Sequence, residues 1–187
     1  MDRNNFRAYN ALGVIYYHQK QLPKAIAEYQ NAIEVNPGFA DPYYNWGLVL
    51  RDLQNPREAI DKFKKAIEVD PKYAYAYNYW GLALEDQNKP EEAIDKYRKA
   101  IELDPENYYA YNYCGLALED QNKPGEAIEK FREATELNPE YAEAYDGWGQ
   151  VLRVQGKFDE ANQKFKKAAA VRGNLAAGQE ISFISTR

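Results

Sequence analysis

The 187-residue chain carries a single cysteine, Cys114, and a single histidine, His18. One cysteine cannot close an intramolecular disulfide or build a thiolate metal cluster within one chain. One histidine leaves any histidine-based triad a single candidate, and His18 falls late in a surface helix with no serine or cysteine constellation beside it. Cys114 falls at a core position, where a thiol acts as a small hydrophobe. H-E-x-x-H, P-loop and G-x-G-x-x-G motifs are missing, so neither catalysis nor a metal or cofactor is expected. Long apolar runs are missing too: nothing approaches the ~18 residues of a membrane span. Met1 to Arg7 lead into no apolar stretch that would read as a secretory signal. A basic excess is also lacking, since 24 Lys and Arg stand against 29 Asp and Glu for a net charge of −5, which argues against general nucleic-acid binding. These absences point to a cytoplasmic chain, or a fragment of a larger one.

What is present is a period. Glycines stand at Gly13, Gly47, Gly81, Gly115 and Gly149, each 34 residues from the next. Ala25, Ala59, Ala93, Ala127 and Ala161 keep the same step, as do Ala32, Ala66, Ala100, Ala134 and Ala168. An aromatic recurs at Tyr29, Phe63, Tyr97, Phe131 and Phe165, and a proline at Pro37, Pro71, Pro105 and Pro139. The copies therefore run 6–39, 40–73, 74–107, 108–141 and 142–175, after a lead-in of 1–5 and before a tail of 176–187.

Within a copy, Tyr77, Trp80, Gly81 and Leu84 are spaced i, i+3, i+4, i+7, the stripe of one helix, and Ala93, Tyr97, Ala100 and Ile101 mark a second. Each copy is thus helix A, a turn and helix B. Asn88, Asn122 and Gly156 sit where helix A should stop, because these residues tolerate a left-handed C-cap. Pro90 and Pro124 suit the first turn of helix B, and Asp70-Pro71 and Asp104-Pro105 should end it. Small residues have a packing purpose: Gly81 against Ala93 and Ala100 should let two antiparallel helices approach while Tyr77 and Tyr97 fill the flanks. The expected fold class is all-α, a solenoid of antiparallel helix pairs.

Written out in the fourth copy as Tyr111, Cys114-Gly115, Leu118, Ala127, Phe131, Ala134 and Pro139, the pattern resembles the tetratricopeptide repeat family. The resemblance covers residues 6–175 and implies a right-handed superhelix whose A helices line a concave groove for a peptide or partner helix. Trp46, Trp80 and Trp148 replace the family's leucine before the glycine, which implies a bulkier packed layer. In the last copy Asn162 and Ala169 replace apolar residues such as Ile94 and Ile101, as a capping repeat with a polar outer face requires. The tail has lost the period and is expected to fray, unless Ile181, Phe183 and Ile184 tuck against the last helix or a neighbouring molecule.

Opposite the buried stripe of helix A lies the face free to meet a partner. It carries an apolar line of Val14, Leu48, Leu82 and Leu116, flanked by Tyr44, Tyr75, Tyr79, Tyr109 and Tyr113. Of the 17 tyrosines, eight occupy framework positions, whereas these five offer the broad apolar contact with a polar tip that binding surfaces favour. The alternative is that they pack between adjacent A helices. Asn10, Asn78 and Asn112 recur in register and, with Asn45, could hold a ligand backbone through amides that both donate and accept; the alternative is a solvated polar residue. An acidic rim of Asp52, Glu85, Asp86, Glu119 and Asp120 should steer a basic or amphipathic protein or peptide to this face.

Helix B collects the lysines, among them Lys62, Lys96, Lys130 and Lys164, which keeps open a nucleic-acid or anionic-membrane contact on the opposite face, although Asp61, Asp95, Glu129 and Glu133 interrupt it. Self-association through the array ends or the groove is a third possibility. The chaperone-tail-binding subgroup of the family clamps a terminal carboxylate with Lys, Asn and Arg. At those places this chain has Asn10, Val14, Asn45, Tyr75 and Tyr79, of which only Asn45 agrees, so chaperone C-terminal tails are not expected ligands.

Overall fold

The computed structural model describes the backbone of residues 5–184 and the side chains of residues 5–174. The described residues form helices with no strand: α1 (Phe6–His18), α2 (Leu22–Val35), α3 (Ala40–Asp52), α4 (Pro56–Val69), α5 (Ala74–Glu85), α6 (Pro90–Leu103), α7 (Tyr108–Asp120), α8 (Pro124–Leu137), α9 (Ala142–Val154) and α10 (Phe158–Ile184). Each odd-numbered helix packs most extensively on the helix that follows it. Two compact units divide the chain, Met1–Asp104 with α1 to α6 and Pro105–Arg187 with α7 to α10. In the first, α2 packs on α3 and α4 on α5, so three hairpins stack; in the second, α8 packs on α9 and joins two hairpins.

The turn inside every hairpin is built alike. Lys20, Gln54, Asn88 and Asn122 have φ of 56–59° and Gly156 has φ of 77°. In the third copy the Asn88 N–H donates to the Glu85 carbonyl at 2.7 Å and the Lys89 N–H to the Leu84 carbonyl at 3.0 Å, which satisfies carbonyls at the helix end. The left-handed stop is thus not confined to asparagine and glycine. Lys20 and Gln54 adopt it as well, because helix packing outweighs the about 1–2 kcal/mol such a residue costs there.

Helix B opens with proline in α4, α6 and α8, where the missing N–H would have had no partner. It closes on an Asx turn. Asn36, Asp70 and Asn138 each accept a hydrogen bond from the N–H two residues on, at Gly38 (3.1 Å), Lys72 (3.0 Å) and Glu140 (3.0 Å).

The recurring glycine turns out to serve the recurring aromatic. A Cβ placed on Gly13, Gly47, Gly81, Gly115 or Gly149 would lie 2.4–2.8 Å from the ring of Tyr29, Phe63, Tyr97, Phe131 or Phe165 respectively. Helix A therefore rests its backbone on a ring face from helix B, and Ala93 and Ala100, both fully buried, let that ring lie flat. This corrects the expectation that the glycine meets the alanines while Tyr97 fills a flank.

The last helix departs from the expected fraying: α10 continues unbroken to Ile184. The physical reason lies in register, for Gly173 stands where the other copies carry Pro37, Pro71, Pro105 and Pro139. Without that ring no backbone clash ends helix B. The side chains of Ile181, Phe183 and Ile184, and residues 185–187, lie outside the described residues, so the tucking contacts expected for them are not addressed.

Candidate partner-binding surface

In the first unit much of the predicted face is used by the protein itself. Tyr44 is half-buried with its ring centroid 5.2 Å from Tyr73, 5.5 Å from Tyr79 and 6.1 Å from Phe63. Burial, followed by its tyrosine neighbours, drives the Tyr44 hydroxyl well above the usual phenol range. Tyr44 and Tyr79 thus pack between adjacent A helices, and Tyr75, 46% exposed, remains available.

The predicted asparagines lie within or between helices of the protein. Asn45 Nδ2 donates to Asn10 Oδ1 at 3.0 Å and ties α3 to α1. Asn78 is buried, with an Oδ1 that meets no donor among the described residues. Leu82 is buried as well, while Val14 and Leu48 are half-buried, so the apolar line is largely interior. These positions share one cause of burial: successive A helices lie close enough to cover residues that a lone helix would expose.

The acidic rim of this unit is also partly occupied. Tyr17 OH donates to Asp52 Oδ2 at 2.7 Å, and Arg51 Nε to Asp86 Oδ2 at 2.7 Å. Each bond links the end of one A helix to the end of the next. Arg51, Asp52, Gln54, Pro56 and Asp86 line an open cavity of about 420 Å³ there. Glu85 is half-buried beside it in sequence.

The second unit keeps more of the face open. Asn112 is buried and its Nδ2 approaches Tyr141 OH at 3.4 Å, so it too is structural. Tyr109 is 40% exposed, with its ring tilted against Tyr108 at 4.2 Å between centroids and edge-on to Tyr141 at 5.3 Å. Leu116 is 37% exposed and Tyr113 half-buried. Asp120 is exposed, and burial followed by the Asp120 charge lifts the Glu119 carboxyl above its ordinary value. Of the predicted residues Tyr75, Tyr109, Leu116, Asp52, Asp86 and Asp120 are exposed, and Glu119 is half-buried.

Two features escaped the sequence reading. Each tryptophan carries a lysine from helix B on its ring: Lys62 lies 3.6 Å from the Trp46 centroid, Lys96 4.4 Å from Trp80 and Lys164 3.2 Å from Trp148. Burial against the indole lowers the pKa of Lys62 and Lys164. The signal was legible as the joint presence of tryptophan and lysine in copies two, three and five. A second glycine of α9, Gly147, presses on Phe131 of the preceding hairpin, where a Cβ would lie 2.5 Å from the ring. No period announced it.

Stacked antiparallel hairpins, seamed by glycine on aromatic and presenting tyrosine, leucine and carboxylate on helix A, define a helical-hairpin repeat protein. Tetratricopeptide repeat models match residues 44–108 and 115–177, with further matches over 15–54 and 96–129. The chain belongs to the tetratricopeptide repeat family. It is similar to MamA, at 27% identity over 88% of this chain and 96% of that one with a TM-score of 0.76. It is also similar to PilF of Pseudomonas aeruginosa, at 25% identity over 91% and 78% with a TM-score of 0.84. YrrB, described as a TPR protein with an unusual peptide-binding site, shares the fold at 24% identity over 91% and 90% with a TM-score of 0.68. No curated protein matches the sequence.

Proposed function

We propose that this chain is a non-catalytic protein-interaction scaffold that holds a basic or amphipathic protein segment on its A-helix faces. The observation that carries the reading is the set of large side chains left exposed there, Tyr75 in the first unit and Tyr109 and Leu116 in the second. Each follows or precedes carboxylates on the same helix or the next, so an apolar contact is paired with a negative field that draws in cations. Tyrosine suits the task because it covers apolar area at low entropic cost and keeps a polar tip.

The helix-B lysines give less support to a phosphate-binding face. Lys62, Lys96 and Lys164 lie over indoles, and Lys65, Lys99 and Lys130 pair with Glu68, Glu102 and Glu133 at 2.6–2.7 Å. Among the described residues no helix is long and apolar enough to cross a membrane.

The test is calorimetric titration of the chain with a synthetic amphipathic leucine–lysine peptide, beside the variant Tyr75→Ala, Tyr109→Ala, Leu116→Glu. Affinity is expected to fall at least about tenfold in the variant, the scale of one lost hot spot, and to weaken with salt in the parent. Equal affinity in parent and variant would remove the A-helix face from the account. Buried Leu82 is unsuited to such a test, since its substitution would unfold the hairpin before it reported on binding.

A further inference from the structure

Successive hairpins meet at the ends of their A helices, and the same two register positions face each other at each junction within a unit. Between the first and second copies Tyr17 donates to Asp52; between the second and third Arg51 pairs with Asp86. Between the fourth and fifth copies the same positions hold Glu119 and Val154. Here the Glu119 main-chain carbonyl accepts from the Asn122 N–H at 2.8 Å, while its carboxylate makes neither a hydrogen bond nor an ion pair among the described residues. What remains is a cavity of about 230 Å³ lined by Glu119, Asn122, Pro124, Val151, Val154 and Gln155.

This notch has two walls of opposite character. One is the Glu119 carboxylate, charged further by its neighbour Asp120. The other is apolar: Val154 is 73% exposed, and Phe158 beyond it is 63% exposed. Isolated hydrophobes on a repeat surface need no explanation, but two of this size beside a carboxylate that meets no cation among the described residues do. The volume falls below the ~300–1,000 Å³ of small-molecule sites, which suits one long side chain of a larger ligand.

We propose that the Glu119–Val154 notch is an anchoring site for an arginine side chain of a partner protein segment, its guanidinium on Glu119 and its methylenes on Val151 and Val154. The first unit supplies the precedent within this chain, because Arg51 places its own guanidinium on a carboxylate at the register-equivalent junction. In the second unit Glu119 stands where Arg51 stands in the first and Val154 where Asp86 stands, so the carboxylate has no internal cation among the described residues and is open to one from a partner. Arginine fits better than lysine: its planar fork pairs a carboxylate through two donors, and its weakly hydrated head and long stem tolerate an apolar wall. Partial burial of Glu119, which raises its pKa, leaves the ionised form short of solvation that a guanidinium would restore.

The inference rests on the scaffold reading and deepens it by naming one side chain and its seat. The test uses the full chain with methyl-labelled valine and three probes at millimolar concentration: acetyl-Ala-Arg-Ala-amide, the same peptide with lysine, and the same with norleucine. The arginine peptide is expected to shift the Val151 and Val154 methyl signals in a saturable way, with lysine weaker and norleucine weaker still. Glu119→Gln, which removes the charge and keeps the shape, should weaken the arginine peptide at least about tenfold. The double variant Glu119→Arg, Val154→Asp rebuilds the internal pair of the first unit and should abolish the shift of the remaining Val151 methyls while leaving the helical spectrum intact. Shifts no larger for arginine than for norleucine, or unchanged in Glu119→Gln, would overturn the notch. If the leucine–lysine peptide still binds the parent more tightly than the Tyr75→Ala, Tyr109→Ala, Leu116→Glu variant by calorimetry in that case, the scaffold reading survives and the anchor alone fails.

Discussion

The seam inside a hairpin and the junction between hairpins follow different rules. At the seam the same partners recur in every copy, a glycine of helix A on an aromatic ring of helix B, as Gly81 lies on Tyr97. At the junction the partners change: a tyrosine on an aspartate, an arginine on an aspartate, a glutamate beside a valine. The seam is close-packed, so one added methyl is felt. The junction stands at the water's edge, where exposed polar pairs contribute little. Repetition marks what packing demands, and variation marks where partner preference can differ without loss of the hairpin.

The comparison breaks most sharply at the seam. Gly81→Leu would force its side chain into the Tyr97 ring, 2.5 Å from the first added carbon; the cost is expected at about 1–3 kcal/mol and is read as a lowered melting temperature. A variant that melts with the parent would show that the ring does not need the glycine. A smaller effect is expected at the first-unit junction. Arg51→Gln should cost about 0.2–1 kcal/mol at low salt and next to nothing in concentrated salt, because the Arg51 and Asp86 side chains are 30% and 38% exposed. Equal loss in both salts would mean the pair acts by packing instead.

The smallest effect sharpens the contrast between the two units. Burial first, and the Asp120 charge second, raise the Glu119 pKa from its reference value of 4.5. A carboxyl raised in the folded state stabilises the fold fully below its unfolded pKa, and that contribution is lost as pH rises through the folded value. Glu119→Gln is therefore expected to melt slightly above the parent at neutral pH, with the difference vanishing below 4.5. A variant less stable than the parent at neutral pH would reverse the sign and indicate that the ionised Glu119 is already paired.

The hairpins were legible because period, small residues and prolines act locally: a glycine every 34 residues, a proline that opens helix B and another that ends it. The candidate site was legible only in part. Leu82 and Leu116 occupy the same register, yet one is buried and the other 37% exposed. Tyr44 and Tyr75 both lie on the outward side of their helices, yet the first packs into an aromatic cluster and the second does not. A helical wheel tells which way a side chain leaves its own helix and nothing of what the next hairpin lays over it.

By itself the sequence determined that the chain is all helix and paired in hairpins, and where helices marked by proline, asparagine or glycine start and stop, α10 excepted, since those depend on neighbours within a few residues. Tertiary structure alone decided which asparagines became struts, which tyrosines stayed in water, that lysines would lie on tryptophans, and that one junction would lack its cation. The lysine–tryptophan contacts join the two helices of one hairpin, and the others join residues about one repeat apart, such as Asn10 with Asn45 and Arg51 with Asp86, whose distances are set by hairpin stacking.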